Sequence, residues 1–183
     1  DRPIDVLFIG SMNERRRDMI KRIESTGRKV VLFDSPLYGP ERDQFIMQAK
    51  CVFNAHFYAT SRFEQARVSH CLSLGTPVVS ERSPLARPHA AFEDSVFWLP
   101  EDSLEDFFTN EFDTPAYRDA AEVALGRFQT VDPIEAYADV LAFAAGYGKE
   151  HQSRRPSTPW QPTRINLGSG KDYKLGWLNI DIL

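Results

Sequence analysis

Residues 4–35 have the sequence IDVLFIGSMNERRRDMIKRIESTGRKVVLFDS, and their pattern is the main evidence for the fold. The first seven residues are an apolar run that ends in glycine, which is typical of a strand buried on both faces. The next segment has a capping-box pattern at Ser11 and Glu14, apolar residues at helical spacing, and Gly27 where a helix would end. Because another apolar run, KVVLFDS, follows, this stretch predicts a βαβ unit.

The alternation of apolar runs and helical patterns continues along the chain. Pro40 opens a predicted helix, and more helices are predicted at about 63–74, from 103, at 116–128 and at 134–145. Further strands are predicted in CVFNAHF, PVVSE and VFWLP. Strands that alternate with helices form a parallel sheet with helices on both faces. We therefore predict the α/β fold class: a Rossmann-like three-layer domain over residues 1–148, with a parallel sheet of about five strands and C-terminal helices.

Composition and charge exclude several classes of protein. The 183 residues are 42% hydrophobic and carry a net charge of −4, so no overall basic field favours nucleic acid or anionic lipid. No apolar run is long enough to span a membrane. Cys51 and Cys71 lie in apolar segments without a CxxC partner, which predicts two buried, reduced cysteines in a cytoplasmic protein rather than a disulfide or a metal site. Because the chain begins with Asp1 and not Met, we interpret it as a piece of a longer protein.

Candidate binding residues follow from the predicted sheet, because ligands bind beyond the carboxyl ends of parallel strands. Four loops meet this criterion: residues 10–15, 35–40, 56–64 and 80–88. Gly10 and Ser11 open the first helix, so their backbone N–H groups suit a phosphate, assisted by Arg15 or Arg16. A plain helix cap with solvated arginines is the alternative. The loop is not GxGxxG, which gives a dinucleotide site little support.

The helix predicted at about 63–74 carries a second set of candidates. Glu64, Arg67 and His70 step by three along one side of it, near its N-terminus. A carboxylate and a guanidinium in a strand-end crevice suit sugar hydroxyls and a diphosphate, while an exposed ion pair is the alternative. His56 ends the third strand, where a side chain faces the ligand, and a structural histidine is the alternative there.

Three segments together resemble a known family of enzymes. VLFIGSMNERR (6–16), YGPERDQFIMQAKCVFNAHF (38–57) and FEQARVSHCLSLGTPVVSE (63–81) look like the C-terminal half of GT-B-fold glycosyltransferases, in particular the spore-maturation-protein-like group. The resemblance covers residues 4–100. It implies that this half binds a nucleotide-diphosphate sugar, with the Gly10 loop facing the diphosphate and the Glu64–His70 helix facing sugar and ribose.

Two departures from the family pattern concern the same helix. The family places a glutamate three residues after the arginine to hold the ribose hydroxyls, and this sequence has His70 there. The family's pair of glutamates eight positions apart is also missing, because Leu72 lies eight after Glu64. Histidine can form a hydrogen bond with a ribose hydroxyl, but it cannot accept hydrogen bonds from two hydroxyls at once as a carboxylate can. The partner Rossmann domain is absent as well, so we expect no glycosyl transfer by residues 1–183 alone.

The end of the chain predicts a linker and the start of another domain. Residues 149–163, KEHQSRRPSTPWQPT, have proline at every third position from 156 to 162, which predicts an extended interdomain linker; an SH3 or WW ligand is the alternative. The closing INLGSGKDYKLGWLNIDI (165–182) predicts two strands joined by a glycine-containing loop, or a plain β-hairpin. It resembles the start of S-adenosylmethionine-dependent methyltransferases. This implies that Gly168, Gly170 and Asp181 contact S-adenosylmethionine in the full-length parent, with residues 164–183 as a truncated domain.

Two hypotheses of function remain. In the first, the chain belongs to a multidomain glycosyltransferase and methyltransferase of glycan biosynthesis, which transfers a sugar from a nucleotide-diphosphate sugar to a glycan or glycoconjugate hydroxyl. In the second, the domain has lost its donor and is a scaffold or interaction module. Under either hypothesis, apolar surface left by a missing partner domain would favour a homodimer.

Overall fold

The computed structural model describes residues 2–33, 37–58, 63–83, 87–136, 138–152, 165–167 and 178–180. The chain divides into two compact units, Asp1–Asp132 and Pro133–Leu183. The predicted domain boundaries at residues 148 and 163 stay predictions.

The first unit contains one parallel sheet, which confirms the predicted α/β class. Its strands are β1 (Ile4–Ile9), β2 (Val30–Phe33), β3 (Ala49–Asn54), β4 (Val78–Glu81) and β5 (Phe97–Leu99). They pair in the order β2-β1-β3-β4-β5, and every neighbouring pair is parallel. The helices between them are α1 (Glu14–Ser25), α2 (Gly39–Gln48), α3 (Gln65–Ser73) and α4 (Ala90–Glu93), and α6 (Pro115–Gln129) follows the last strand. This is the Rossmann-like arrangement predicted from the alternation of strands and helices.

Two apolar clusters, one on each face of the sheet, give the unit its three layers. Val6 and Phe8 of β1 pack with Ile23 of α1 on one face. Leu7, between them in sequence, packs with Val68 of α3 on the opposite face. All of these side chains, in both clusters, are fully buried. Because successive residues of a strand point to opposite faces, a continuous apolar run such as VLF supplies both layers at once.

The start of α1 differs from the predicted capping box. The helix begins at Glu14, and the side chain of Asn13 accepts a hydrogen bond of 2.9 Å from the backbone nitrogen of Arg16. The capping box predicted at Ser11 is therefore wrong. Asn is at least as strong an N-cap as Ser, and Gly10 (φ 154°) and Ser11 are needed as extended chain between β1 and the helix.

A continuous helical segment after β5 has three kinds of turn. A 3-10 turn (Glu101–Ser103) leads into α5 (Leu104–Asp106) and then into π-helical residues Phe107–Glu111. The wider π turn lets consecutive Phe107 and Phe108 both enter the core, where they join the aromatic cluster with Phe112 and Tyr117. A helix was predicted here from Ser103, but this residue makes no cap hydrogen bond in the structure.

The described residues of the second unit form two helices and a pair of short strands. Helix α7 spans Pro133–Ala136, and α8 spans Ala138–Gln152, so it continues past the predicted end at residue 145. Strands β6 (Ile165–Leu167) and β7 (Leu178–Ile180) pair in parallel, whereas a β-hairpin would pair them antiparallel. The hairpin alternative is therefore excluded. Gly168, Gly170, Asp181 and residues 153–163 of the predicted linker lie outside the described residues.

No helix in the described part of the chain is both long and apolar enough to cross a membrane. Cys51 and Cys71 are free and buried, as predicted. Burial raises the pKa of Cys71 to about 12, so its thiol is unreactive at neutral pH.

The aromatic cluster allows a direct test of the core. Phe108 is fully buried, and Phe108→Ala should lower the free energy of unfolding by about 3–5 kcal/mol in urea denaturation. Met47→Ala, at a side chain that is 46% exposed, should change it by less than about 0.5 kcal/mol. Equal effects of the two substitutions would contradict this assignment of the core.

Candidate functional site

The strand order places a crevice between the carboxyl ends of β1 and β3. The connection after β1 leads to one side of the sheet and the connection after β3 to the other, so their loops diverge at this point. Such a switch point is where open parallel sheets bind ligands. Gly10 follows β1 and Ala55 follows β3, and the candidate residues gather around these two positions.

A cavity of about 430 Å³ lies beside this crevice, between the ends of β1 and β2 and helices α2 and α3. One wall is apolar and comprises Ile9, Phe33, Leu37, Ile46 and Cys71. The polar lining comprises Gly10, Ser11, Tyr38, Arg42, Arg67 and His70. The cavity thus joins an apolar wall to two guanidinium groups, a combination that suits a ligand with a flat apolar part and negative charge.

Arg67 and Gly10 meet at the edge of the cavity. A Cβ atom built at Gly10 would lie 3.4 Å from Nη2 of Arg67 and 3.3 Å from Nη1 of Arg16. With φ at 154°, Gly10 also has a backbone conformation that other residues rarely adopt. The absence of a side chain here lets two guanidinium groups approach the backbone at the end of β1.

The side chain of Arg67 is oriented by a hydrogen bond to the buried side-chain amide of Asn54. Asn54, the last residue of β3, is fully buried, and its Oδ1 accepts from Nη1 of Arg67 at 3.2 Å. Its Nδ2 donates to Oε2 of Glu64 at 3.0 Å and to Oγ of Ser80 at 3.1 Å. Arg67 forms no ion pair with any carboxylate of the described residues. The guanidinium group of Arg67 is therefore held in one orientation, and its positive charge is available to a ligand.

Glu64 faces inward rather than toward the cavity. It precedes α3, and its Oε2 lies 2.9 Å from Nδ1 of His56, while its Oε1 lies 3.5 Å from Nη2 of Arg16. Burial acts to raise the pKa of Glu64, but the hydrogen bonds from His56 and Asn54 and the nearby positive charges outweigh it, so the pKa is lowered. Glu64 is therefore a charged structural group at neutral pH.

Arg16 is buried at 3% exposure and bonded to backbone carbonyls. Its Nε and Nη2 donate to the carbonyl oxygen of Ala55 at 3.0 and 2.6 Å, and its Nη1 donates to that of Ser11 at 2.7 Å. The guanidinium also lies 5.5 Å from the ring centroid of Phe8 and 5.2 Å from that of Phe57. Arg16 therefore joins the loops after β1 and β3.

Arg15 makes the matching contact with β4. Its guanidinium forms a two-point ion pair with the buried carboxylate of Glu81, and its Nη1 donates to the carbonyl oxygen of His56 at 3.2 Å. Oε2 of Glu81 also accepts from the backbone nitrogen of His56 at 3.0 Å. The predicted phosphate assistance from Arg15 or Arg16 stays a prediction, and both guanidinium groups already have protein acceptors.

His70 shares one ring nitrogen between two neighbours on α2. Its Nε2 lies 2.7 Å from Oδ1 of Asp43 and 2.8 Å from Nη2 of Arg42. A protonated Nε2 can donate to Asp43, and an unprotonated Nε2 can accept from Arg42, but it cannot do both. The hydrogen bond from His70 is the main cause that lowers the pKa of Asp43.

The structure brings together the residues predicted on α1, β3 and α3. Gly10, Ser11, Arg67 and His70 line the cavity, whereas the other four predicted residues form the polar network beside it: Arg15, Arg16, His56 and Glu64. Sequence reasoning missed Asn54 and Arg42. A polar residue at the end of the apolar run CVFN was the available signal for Asn54, and the first turn of the Pro40 helix was the signal for Arg42.

Comparison with known proteins finds a similar viral protein but does not assign the chain to a protein family. No protein-family model matches the chain. Over 80 residues the chain is 36% identical to "Uncharacterized protein L138" of Acanthamoeba polyphaga mimivirus, an alignment that covers 43% of this chain. It spans only 9% of the length of that relative.

The role of Arg16 can be tested by removing its donors while keeping its bulk. Arg16→Met leaves the buried carbonyl of Ala55 without its two donors, so we expect the free energy of unfolding to fall by about 1–3 kcal/mol. Arg17→Met, at an exposed position of the same helix, is the matched control and should change it little. Urea denaturation measures both, and a loss of equal size in the control would contradict the assignment.

Glu64 should contribute to stability in a pH-dependent way. Because its pKa is lowered by folding, its contribution is present above the pKa of the unfolded chain and is lost as pH falls through the lower folded value. We expect Glu64→Gln to be destabilising at pH 7 and the difference from the unsubstituted protein to shrink as the pH falls below about 5. Urea denaturation at several pH values checks this. A difference that is constant or grows in acid would show that Glu64 is not held as an ion.

Proposed function

We propose that the chain is the donor-binding domain of a glycosyltransferase and binds a nucleotide diphosphate in the strand-end cavity. The observation that carries the proposal is the guanidinium of Arg67, held against Gly10 by Asn54 and unpaired with any carboxylate of the described residues. A fixed cation next to a bare backbone suits a phosphate, because a side chain at Gly10 would exclude it.

The apolar wall supports a nucleoside as the remainder of the ligand. Phe33, Leu37 and Ile46 line the cavity from β2, from α2 and from the chain between them, and Tyr38 also lines it. A base placed there would put its ribose between the wall and Arg67, within reach of His70. A volume of about 430 Å³ falls within the range typical of small-molecule sites.

The sugar-transfer reaction is proposed for the whole parent protein rather than for this domain. The departing nucleotide diphosphate gains negative charge as the bond to the sugar breaks, and Arg67 would stabilise that charge. The resemblance to GT-B glycosyltransferases over residues 4–100 supports this assignment, as does the strand-end position of the cavity. We further propose a cytoplasmic parent in which residues 164–183 begin a methyltransferase domain that binds S-adenosylmethionine.

One observation favours the alternative of a non-catalytic scaffold. Glu64, the carboxylate expected to face the donor sugar, is engaged by His56, Asn54 and Arg16. His70 is likewise engaged by Asp43 and Arg42. A domain in which Glu64 and His70 are both paired internally would position a neighbouring domain without binding a donor.

Calorimetric titration of the 183-residue chain with UDP, GDP and dTDP separates these two functions. We expect micromolar binding of one nucleotide, and weakening by at least tenfold in Arg67→Ala, because a hydrogen bond to a charged group contributes about 1.5–3 kcal/mol. Arg17→Met, at an exposed position on α1, should bind as tightly as the unsubstituted protein. Binding that survives Arg67→Ala unchanged would contradict the site, and no binding at millimolar concentration would favour the scaffold.

A further inference from the structure

A second cleft lies at the opposite end of the strands of the same sheet. It has a volume of about 930 Å³ and is formed by the amino ends of β1, β3 and β4 together with helix α6. Arg2 and Pro77 precede strands β1 and β4, and Tyr117, Ala121 and Leu125 lie on α6. The proposed nucleotide site is at the carboxyl ends of the strands, so the two sites share no lining residue.

Arg2 presents unused donors at this cleft. Its Nη1 donates to the carbonyl oxygen of Ala49 at 2.6 Å and to Oγ1 of Thr76 at 2.8 Å, and its Nη2 donates to the carbonyl oxygen of Gly75 at 2.8 Å. These bonds fix the plane of the guanidinium. The Nε–H and one Nη2–H find no acceptor within the part of the chain that the structure describes. Adjacent donors of a planar guanidinium are the pattern that a carboxylate binds with both of its oxygens.

Tyr117 supplies another unused donor. The residue is 6% exposed, and its hydroxyl has no hydrogen-bond partner among the described residues. Its ring is held by Phe97 and Phe112, each with a centroid distance of 5.0 Å. Tyr117 is one of the residues that line the cleft, and burial raises the pKa of its hydroxyl. The hydroxyl is therefore protonated at neutral pH, and Tyr117 lines the same cleft as Arg2.

The other charges at the cleft are largely paired with one another. Lys50 lies 2.7 Å from carboxylate oxygens of both Asp5 and Asp113. Asp113 is also paired with Arg118, at 3.0 Å. Glu122 also lines the cleft, and neither it nor Arg2 forms an ion pair among the described residues, so Arg2 is the cation there that a ligand carboxylate can neutralise.

We propose that this cleft binds a small organic carboxylate. Arg2 and Tyr117 would hold the carboxylate, and Pro77, Ala121 and Leu125 would contact the apolar part of the ligand. The site is independent of the nucleotide site and exists whether or not the domain binds a donor.

The test is a titration of the 15N-labelled 183-residue chain followed by NMR, with sodium benzoate as the probe and benzamide as its neutral counterpart. We expect saturable shifts at the amides of Gly75 and Gly126, which line the cleft, with a dissociation constant on the order of 1–10 mM for so small a ligand. Benzamide should bind at least tenfold more weakly, because it lacks the charge that pairs with Arg2.

Two variants identify the groups responsible. Tyr117→Phe keeps the packed ring and removes only the unpaired hydroxyl, so its melting temperature should be unchanged or higher while benzoate binding weakens at least threefold. Arg2→Lys keeps the charge but loses the adjacent donors and should weaken binding about tenfold. Arg17→Met should bind benzoate like the unsubstituted chain. Non-saturable shifts, equal binding of benzamide, or unchanged affinity in both variants would overturn the proposal.

Discussion

The loop that follows β3 is held by the first turn of α1, and the geometry of the strand-end crevice depends on this attachment. Three successive carbonyl oxygens of the loop accept hydrogen bonds from α1: Ala55 from Arg16, His56 from Arg15, and Phe57 from Nδ2 of Asn13 at 2.5 Å. Backbone carbonyls that are removed from water need such donors. Because the donors sit on a helix and the acceptors follow a strand, the two loops of the crevice are fixed to each other.

This attachment concentrates positive charge at the end of β1. The guanidinium of Arg16 lies under Gly10, and that of Arg67 lies beside it. Burial and then the positive charge of Arg67 lower the pKa of Arg16, as expected for two cations that both lie close to Gly10. Glu64 offsets only part of this charge. An anion in the cavity beside Arg67 would relieve the repulsion between these cations, which supports the phosphate proposed for the crevice.

The sheet was predictable because its signals are local. Apolar runs such as VLFI and CVF carry the strands in a few consecutive residues, and helix patterns separate them. The partners of Arg16 were not predictable, because the carbonyl of Ala55 lies 39 residues away and is brought close only by the folded sheet. The prediction of the N-cap at Ser11 was wrong for a different reason. Ser11 and Asn13 both fit the N-cap preference, and only the path of the chain after Gly10 decides between them.

The side chains of Glu64 and Arg67 point in different directions, and this limits which ligands the crevice can recognise. Both residues belong to one turn of α3 and its cap, yet Glu64 is directed inward to His56 and Asn54 while Arg67 borders the cavity. Among the described residues that line the cavity none is a carboxylate, so hydroxyl groups of a sugar would find no anionic acceptor there. Recognition would then depend on the phosphates and on the apolar wall. In the proposed function, Arg67 and the apolar wall would hold the nucleotide part of a donor, and the groups that select the sugar and activate an acceptor hydroxyl would come from residues other than those that line the cavity.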